Sequence, residues 1–123
     1  MAIYKKNIVQ INVESNFGST GKICINISDY LQLNGNEPHI AHGPIHRDSK
    51  NITYQIGTKF DYYLHILNTR IFDKHGLGSI KATKQFLKTL EASKPDLIHL
   101  HNIHGYYINY ELLFQFLKSV NIP

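Results

Sequence analysis

The order in which strand-like and helix-like patterns alternate constrains this chain more than any other feature. Residues 7–13, Asn-Ile-Val-Gln-Ile-Asn-Val, are β-branched and partly alternating, and read as a first strand. A small-residue loop follows and opens onto a helix whose apolar positions 23, 27, 30, 31 and 33 approximate one face, with Gly35 as its stop. Residues 37–42 read as a second strand, with Pro38 near its start where a missing N–H is tolerated, and 52–56 as a short third strand near a sheet edge. Phe60, Tyr63, Leu64, Leu67 and Ile71 recur at spacings of three and four, the pattern of a core-facing helix. Residues 73–78 break that helix, and Ser79 is expected to cap the next, with Ile80, Thr83, Leu87 and Leu90 on one face and Phe86 beside it. Lys94 and Pro95 lead into a short strand, 97–100, expected to be buried between helical layers. Asn109 then caps a last helix carrying Leu112, Leu113, Phe116, Leu117 and Val120. This order predicts an α/β fold: a Rossmann-like parallel sheet with helices on both faces.

At 123 residues the chain makes one domain, 1–123, long enough for a core but small for such a sheet. A hydrophobic content of 42% argues against disorder. No apolar run approaches the length of a membrane span. The lysines at positions 5 and 6 precede only a strand's length of apolar residues, which does not make a signal peptide. Cys24 has no partner for an internal disulfide, fits a reducing cytoplasm, and reads as core filling. The net charge of +4 is compatible with anionic partners, yet no block of like charges marks a nucleic-acid site. Residues 121–123 read as the lead-in to a further strand. The chain is therefore expected to be a fragment with an exposed edge that favours self-association.

Ligands of open parallel sheets bind beyond the carboxyl ends of the strands. Two stretches fall there. After the first strand, Gly18, Ser19, Thr20 and Gly21 allow close backbone approach, and the helix N-terminus behind them favours a phosphate. The pattern is neither G-x-G-x-x-G nor a Walker loop, so a dinucleotide or nucleoside-triphosphate site is disfavoured; Ser19 or Thr20 as a plain helix cap is the simpler alternative. After the fourth strand come His101, Asn102 and His104, placed to contact a substrate hydroxyl or phosphate. His99 and His101 share one sheet face and could join His104 in a three-nitrogen metal site, but no carboxylate or cysteine supports it. His99 is expected to be a satisfied core histidine, and His39 and His42 to face the crevice or solvent. Tyr106, Tyr107 and Tyr110 could stack on a sugar or base or pack beneath the loop.

The run Ile8-Val9-Gln10-Ile11-Asn12-Val13, the loop Asn16-Phe17-Gly18-Ser19-Thr20-Gly21-Lys22 and the stretch from Pro95 through His99, His101, Asn102 and His104 to Tyr107 together resemble the N-terminal domain of GT-B glycosyltransferases. Within these the chain is most similar to the retaining GT4 group of bacterial polysaccharide and lipopolysaccharide assembly; residues 73–79 also match a subset of it. The resemblance implies transfer of a sugar from a nucleotide-sugar donor to a glycan or lipid-linked acceptor, without a metal or other cofactor and without nucleic acid. It implies that Gly18, Ser19, Thr20 and Gly21 line the phosphate end of the cleft, and that His101, Asn102 and His104 lie at the acceptor end. Such enzymes work in the cytoplasm, some at the inner face of the membrane, which allows a peripheral membrane contact. They continue into a strand with a T-x-H-D-like end and a C-terminal donor-binding domain, neither of which lies in these 123 residues. The catalytic residues are thus unassigned, and the chain alone is expected to be inactive. A stand-alone sugar- or phosphate-binding module is the alternative, and a metal-dependent hydrolase using His99, His101 and His104 a third reading.

Overall fold

The computed structural model describes residues 4–73 and 76–123; Lys74 and His75 of the expected helix break, like the first three residues, lie outside them. The elements follow the order β1 (Asn7–Asn12), α1 (Gly18–Leu33), β2 (Glu37–His42), β3 (Ile52–Gln55), α2 (Lys59–Phe72), α3 (Ile80–Ser93), β4 (Leu97–Leu100) and α4 (Tyr110–Ser119). The four strands form one sheet in the order β3-β2-β1-β4, and every pairing is parallel. This is the α/β, Rossmann-like arrangement that the sequence predicts.

Alternation along β1 sorts its side chains to two layers. Val9 and Ile11 point into the main core with Phe86 and Leu90 of α3 and Leu113 of α4. Gln10, on the other face, meets α1, where its amide donates to the Cys24 carbonyl at 3.0 Å and to Ser28 Oγ at 2.9 Å. α1 ends as Gly35, at φ +79°, closes the last turn through N–H bonds from Gly35 and Asn36 to Gln32 and Leu31.

Four expectations are corrected. β4 lies at a sheet edge and is not buried between layers: its Ile98 and Leu100 face the core, while Leu97 and His99 are exposed. His99 is therefore no core histidine. β1 occupies the centre instead, and Ile98 N–H on the outer side of β4 meets the Pro123 carbonyl at 2.9 Å. His39 and His42 are buried, not turned to crevice or solvent: His39 bonds Asn7 Oδ1 at 2.9 Å, and His42 Nδ1 the Gly43 carbonyl at 2.6 Å. In α1 the buried positions are the small residues Gly21, Cys24 and Ser28, with Ile23 and Leu33 outside, because Gln10 reaches up from the strand and leaves no room for larger side chains.

The largest correction concerns α2. Its apolar stripe, Phe60, Tyr63, Leu64, Leu67 and Ile71, is 42–74% exposed, and the buried residues are His65 and Thr69. The helix starts on a capping box between Thr58 and Asp61. It then docks by polar contacts. His65 Nδ1 pairs with Ser79 Oγ at 2.8 Å and its Nε2 accepts the Gly78 N–H at 3.3 Å. A Cβ on Gly78 would overlap the imidazole, so only glycine lets this ring in. Ser79, expected as a side-chain cap of α3, spends its hydroxyl on His65 instead. Asn109 does cap α4, accepting from Leu112 N–H at 3.0 Å, and also reaches the Leu77 carbonyl at 2.7 Å.

Candidate functional site

The loops after β1, β2 and β4 meet at the carboxyl edge of the sheet. Gly43 N–H donates to the Val13 carbonyl at 3.1 Å, and Arg47 N–H to the Ser15 carbonyl at 2.9 Å, which ties the first loop to the second. Asn12, fully buried at the end of β1, ties the first loop to the last. Its Nδ2 donates to the Glu14 carbonyl at 2.8 Å and to Thr20 Oγ1 at 3.3 Å, and its Oδ1 accepts the Asn102 N–H at 3.2 Å. One carboxamide thus joins the two stretches that the sequence singles out.

In the glycine loop, Phe17 is the residue before the helix and gives no side-chain cap, so the first N–H groups of α1 are left for another acceptor. Gly18 is exposed at φ +65°, Ser19 is exposed, Thr20 is half-buried and held by Asn12, and Gly21 is buried against the Asn16 backbone. Neither Ser19 nor Thr20 is the cap. A Cβ on Gly18 would land on Glu14 Oε2, so the chain's own carboxylate rests at the positive end of the helix. The Arg47 guanidinium lies 5.2 Å from the centre of the Phe17 ring, which puts a cation beside the same loop.

After β4, His101 Nε2 lies 2.7 Å from Gln10 Oε1. The Gln10 amide orientation is fixed, because its nitrogen faces the Cys24 carbonyl, which only accepts. His101 must then donate from Nε2, leaving Nδ1 with its lone pair and, among the described residues, no hydrogen bond. Burial, and next the neighbouring His99, hold the His101 pKa below the ordinary histidine value, so the ring is neutral near pH 7. The His99 ring stacks on it at 4.0 Å. Asn102 shapes the loop: Oδ1 accepts the His104 N–H at 3.0 Å, and its carbonyl accepts from the Tyr107 hydroxyl at 2.8 Å. Tyr107 packs beneath the loop, fully buried, and burial raises its phenol pKa so that the donating proton stays on.

His104 is exposed and faces a different space from His101. With Ile103, Tyr106, Ile108, Tyr110 and Phe114 it lines an open cavity of about 640 Å³, within the usual size of small-molecule sites and mostly apolar. Gly76 closes one side, so the segment between α2 and α3 also contributes. Tyr106 sits at φ +53°, a left-handed conformation that costs a non-glycine residue free energy and fixes its ring edge-on to Tyr62 and His65.

The structure thus ties Asn102 to the glycine loop through Asn12, ties His101 through Gln10 to Cys24 and Ser28 farther along α1, and gives His104 to the aromatic cavity. Sequence reasoning missed Gln10, Asn12, Glu14 and Arg47. The signal for the first two was present: two amides alternate with Val9 and Ile11 in a strand expected to be covered on both faces. Among the described residues, no group of three or more His, Cys, Asp or Glu side chains could hold a metal ion. No helix among them is long and apolar enough to cross a membrane. Compared with protein-family models, curated proteins and solved structures, the chain matches none of them.

Proposed function

We propose that the chain is the acceptor-side part of a cytoplasmic glycosyltransferase that moves a sugar from a nucleotide-sugar donor to a glycan or lipid-linked acceptor. The observation that carries this reading is the placing, at one edge of a parallel sheet, of two separate features on one loop: the neutral His101 imidazole with a free Nδ1, and beside His104 a cavity walled by Tyr106, Tyr110 and Phe114. Sugars present hydroxyl donors and apolar ring faces, which suit a neutral ring nitrogen and aromatic walls respectively. In this reading His101 and His104 contact the acceptor while Asn102 holds their loop. Gly18, Ser19, Thr20 and Gly21 take the diphosphate end of the donor, with Arg47 as the neighbouring cation. Glu14 must swing off Gly18 for a phosphate to enter. The reading calls for no metal, and for a donor-binding domain in addition to this chain, so the chain alone binds without transferring.

The test is a titration of the isotope-labelled chain, followed by its backbone amide signals. Nucleotide sugars should move Gly18, Ser19, Thr20 and Gly21, and Glu14→Gln should tighten that binding several-fold by removing a competing carboxylate. Oligosaccharides should move His101, His104 and Tyr106. The reading is lost if neither ligand class moves either set.

A further inference from the structure

The two edges of the sheet are finished differently. At β4 the outward N–H of Ile98 is met by the Pro123 carbonyl at 2.9 Å. β3 forms the other edge, and among the described residues no strand lies beyond it. Ile56 N–H reaches the His42 carbonyl at 2.7 Å, which sets the phase of the parallel ladder. Ile52, Tyr54 and Ile56 bond β2, while Thr53 and Gln55 turn their backbone N–H and C=O groups outward. Both residues are exposed. Open edges are usually blunted by a charge or a proline, and Ile52-Thr53-Tyr54-Gln55 has neither. Beside this edge an open groove of about 310 Å³ runs between β3 and α3, its helical wall made by Ala82, Gln85, Phe86 and Thr89.

The helical wall carries its own charge. Lys81 stands one turn before Gln85, and Lys88 lies one turn after Gln85 and next to Thr89, so both border the groove. Both are exposed, and neither is in an ion pair among the described residues. Asp61, the carboxylate against Gly57 at the end of the groove, is already held by the Thr58 N–H at 2.8 Å and the Thr58 hydroxyl at 2.9 Å. From these features we infer that the β3 edge is a docking site for an acidic, extended peptide segment of a partner protein. The segment adds to the sheet beside β3: its backbone pairs with Thr53 and Gln55, and its acidic side chains, on alternate residues and so on one face, meet Lys81 and Lys88. Charge decides between occupants. A second copy paired edge to edge about a two-fold axis would set the lysines of one α3 against those of the other, whereas carboxylates complement them. The inference is independent of sugar transfer, since β3 lies at the opposite edge of the sheet from β4 and its histidines.

The experiment is a titration of the full, isotope-labelled chain with a blocked peptide of alternating glutamate and valine, with a lysine–valine peptide of equal length as the control. The acidic peptide is expected to bind and to slow hydrogen exchange at the Thr53 and Gln55 amides, leaving Tyr54, already bonded to β2, unchanged. Binding should weaken as salt screens the lysines, and several-fold in the combined variant Lys81→Gln, Lys88→Gln. Thr53→Pro removes one outward donor without touching the β2 ladder and should weaken binding on the order of tenfold. The same acidic peptide N-methylated at alternate residues, which tests the edge with the protein unaltered, should not bind. No binding of the acidic peptide, equal binding of the basic one, full binding of the N-methylated one, or a dimer that Thr53→Pro dissolves in place of peptide binding would each overturn the proposal.

Discussion

α2 and α3 are neighbours of equal length, 14 residues each, and they obey opposite rules. α3 buries Phe86 and Leu90 and turns its lysines out, as an amphipathic helix does. α2 buries a histidine and a threonine and turns six large apolar side chains out, the five of the stripe and Phe72. The difference lies in what each helix finds beneath it. α3 packs Phe86 and Leu90 into the apolar cluster of Val9, Ile11 and Leu113, and its one buried hydroxyl, Thr83, is met by the Asn109 N–H. α2 lies on the Gly78–Ser79 backbone and the Tyr106 loop, where a hydrogen-bonding ring fits and an apolar one would leave polar groups unpaired. A periodic stripe therefore identifies a face without saying which way it looks.

Three substitutions or conditions sharpen that contrast. Phe86→Ala should cost about 3–4 kcal/mol in denaturant unfolding, because it opens a cavity between α3 and the sheet; a loss below 1 kcal/mol, on the order of an exposed site, would place the core elsewhere. His65→Leu should cost about 2 kcal/mol although it makes α2 more apolar, since Ser79 Oγ and the Gly78 N–H lose their partner. A stabilised variant would show that α2 docks by hydrophobic contact after all. The third is acid. Burial holds the pKa values of His39, His42, His65 and His101 below the ordinary value, so the folded state binds fewer protons than the unfolded one. Their contribution to stability is complete above about pH 6.5 and is lost as pH falls through the folded-state values. Melting temperature should drop from pH 7 to 5, and His65→Leu should flatten that slope; an unchanged slope would remove His65 from the effect.

Much of the fold was legible because it depends on local patterns. Strand runs such as 7–12 and 37–42, the Gly35 stop and the Asn109 cap are each set by a few adjacent residues. The edge position of β4 was not legible, since Leu97 and Ile98 read alike as strand residues, and only the lateral order of strands decides which one is covered. The candidate site divides the same way. Glycines at 18 and 21 and histidines at 101 and 104 announce themselves by type and place. Glu14 over Gly18, and Gln10 fixing the His101 tautomer from 91 positions away, are long-range meetings that no spacing encodes.

Asn12 has a consequence for cooperativity. A single carboxamide can serve both the glycine loop and the loop after β4 only while they keep their present separation. A displacement of either loop strains or breaks a bond to the other. Movement of one loop is therefore coupled to movement of the other, and by reciprocity the influence runs equally in both directions.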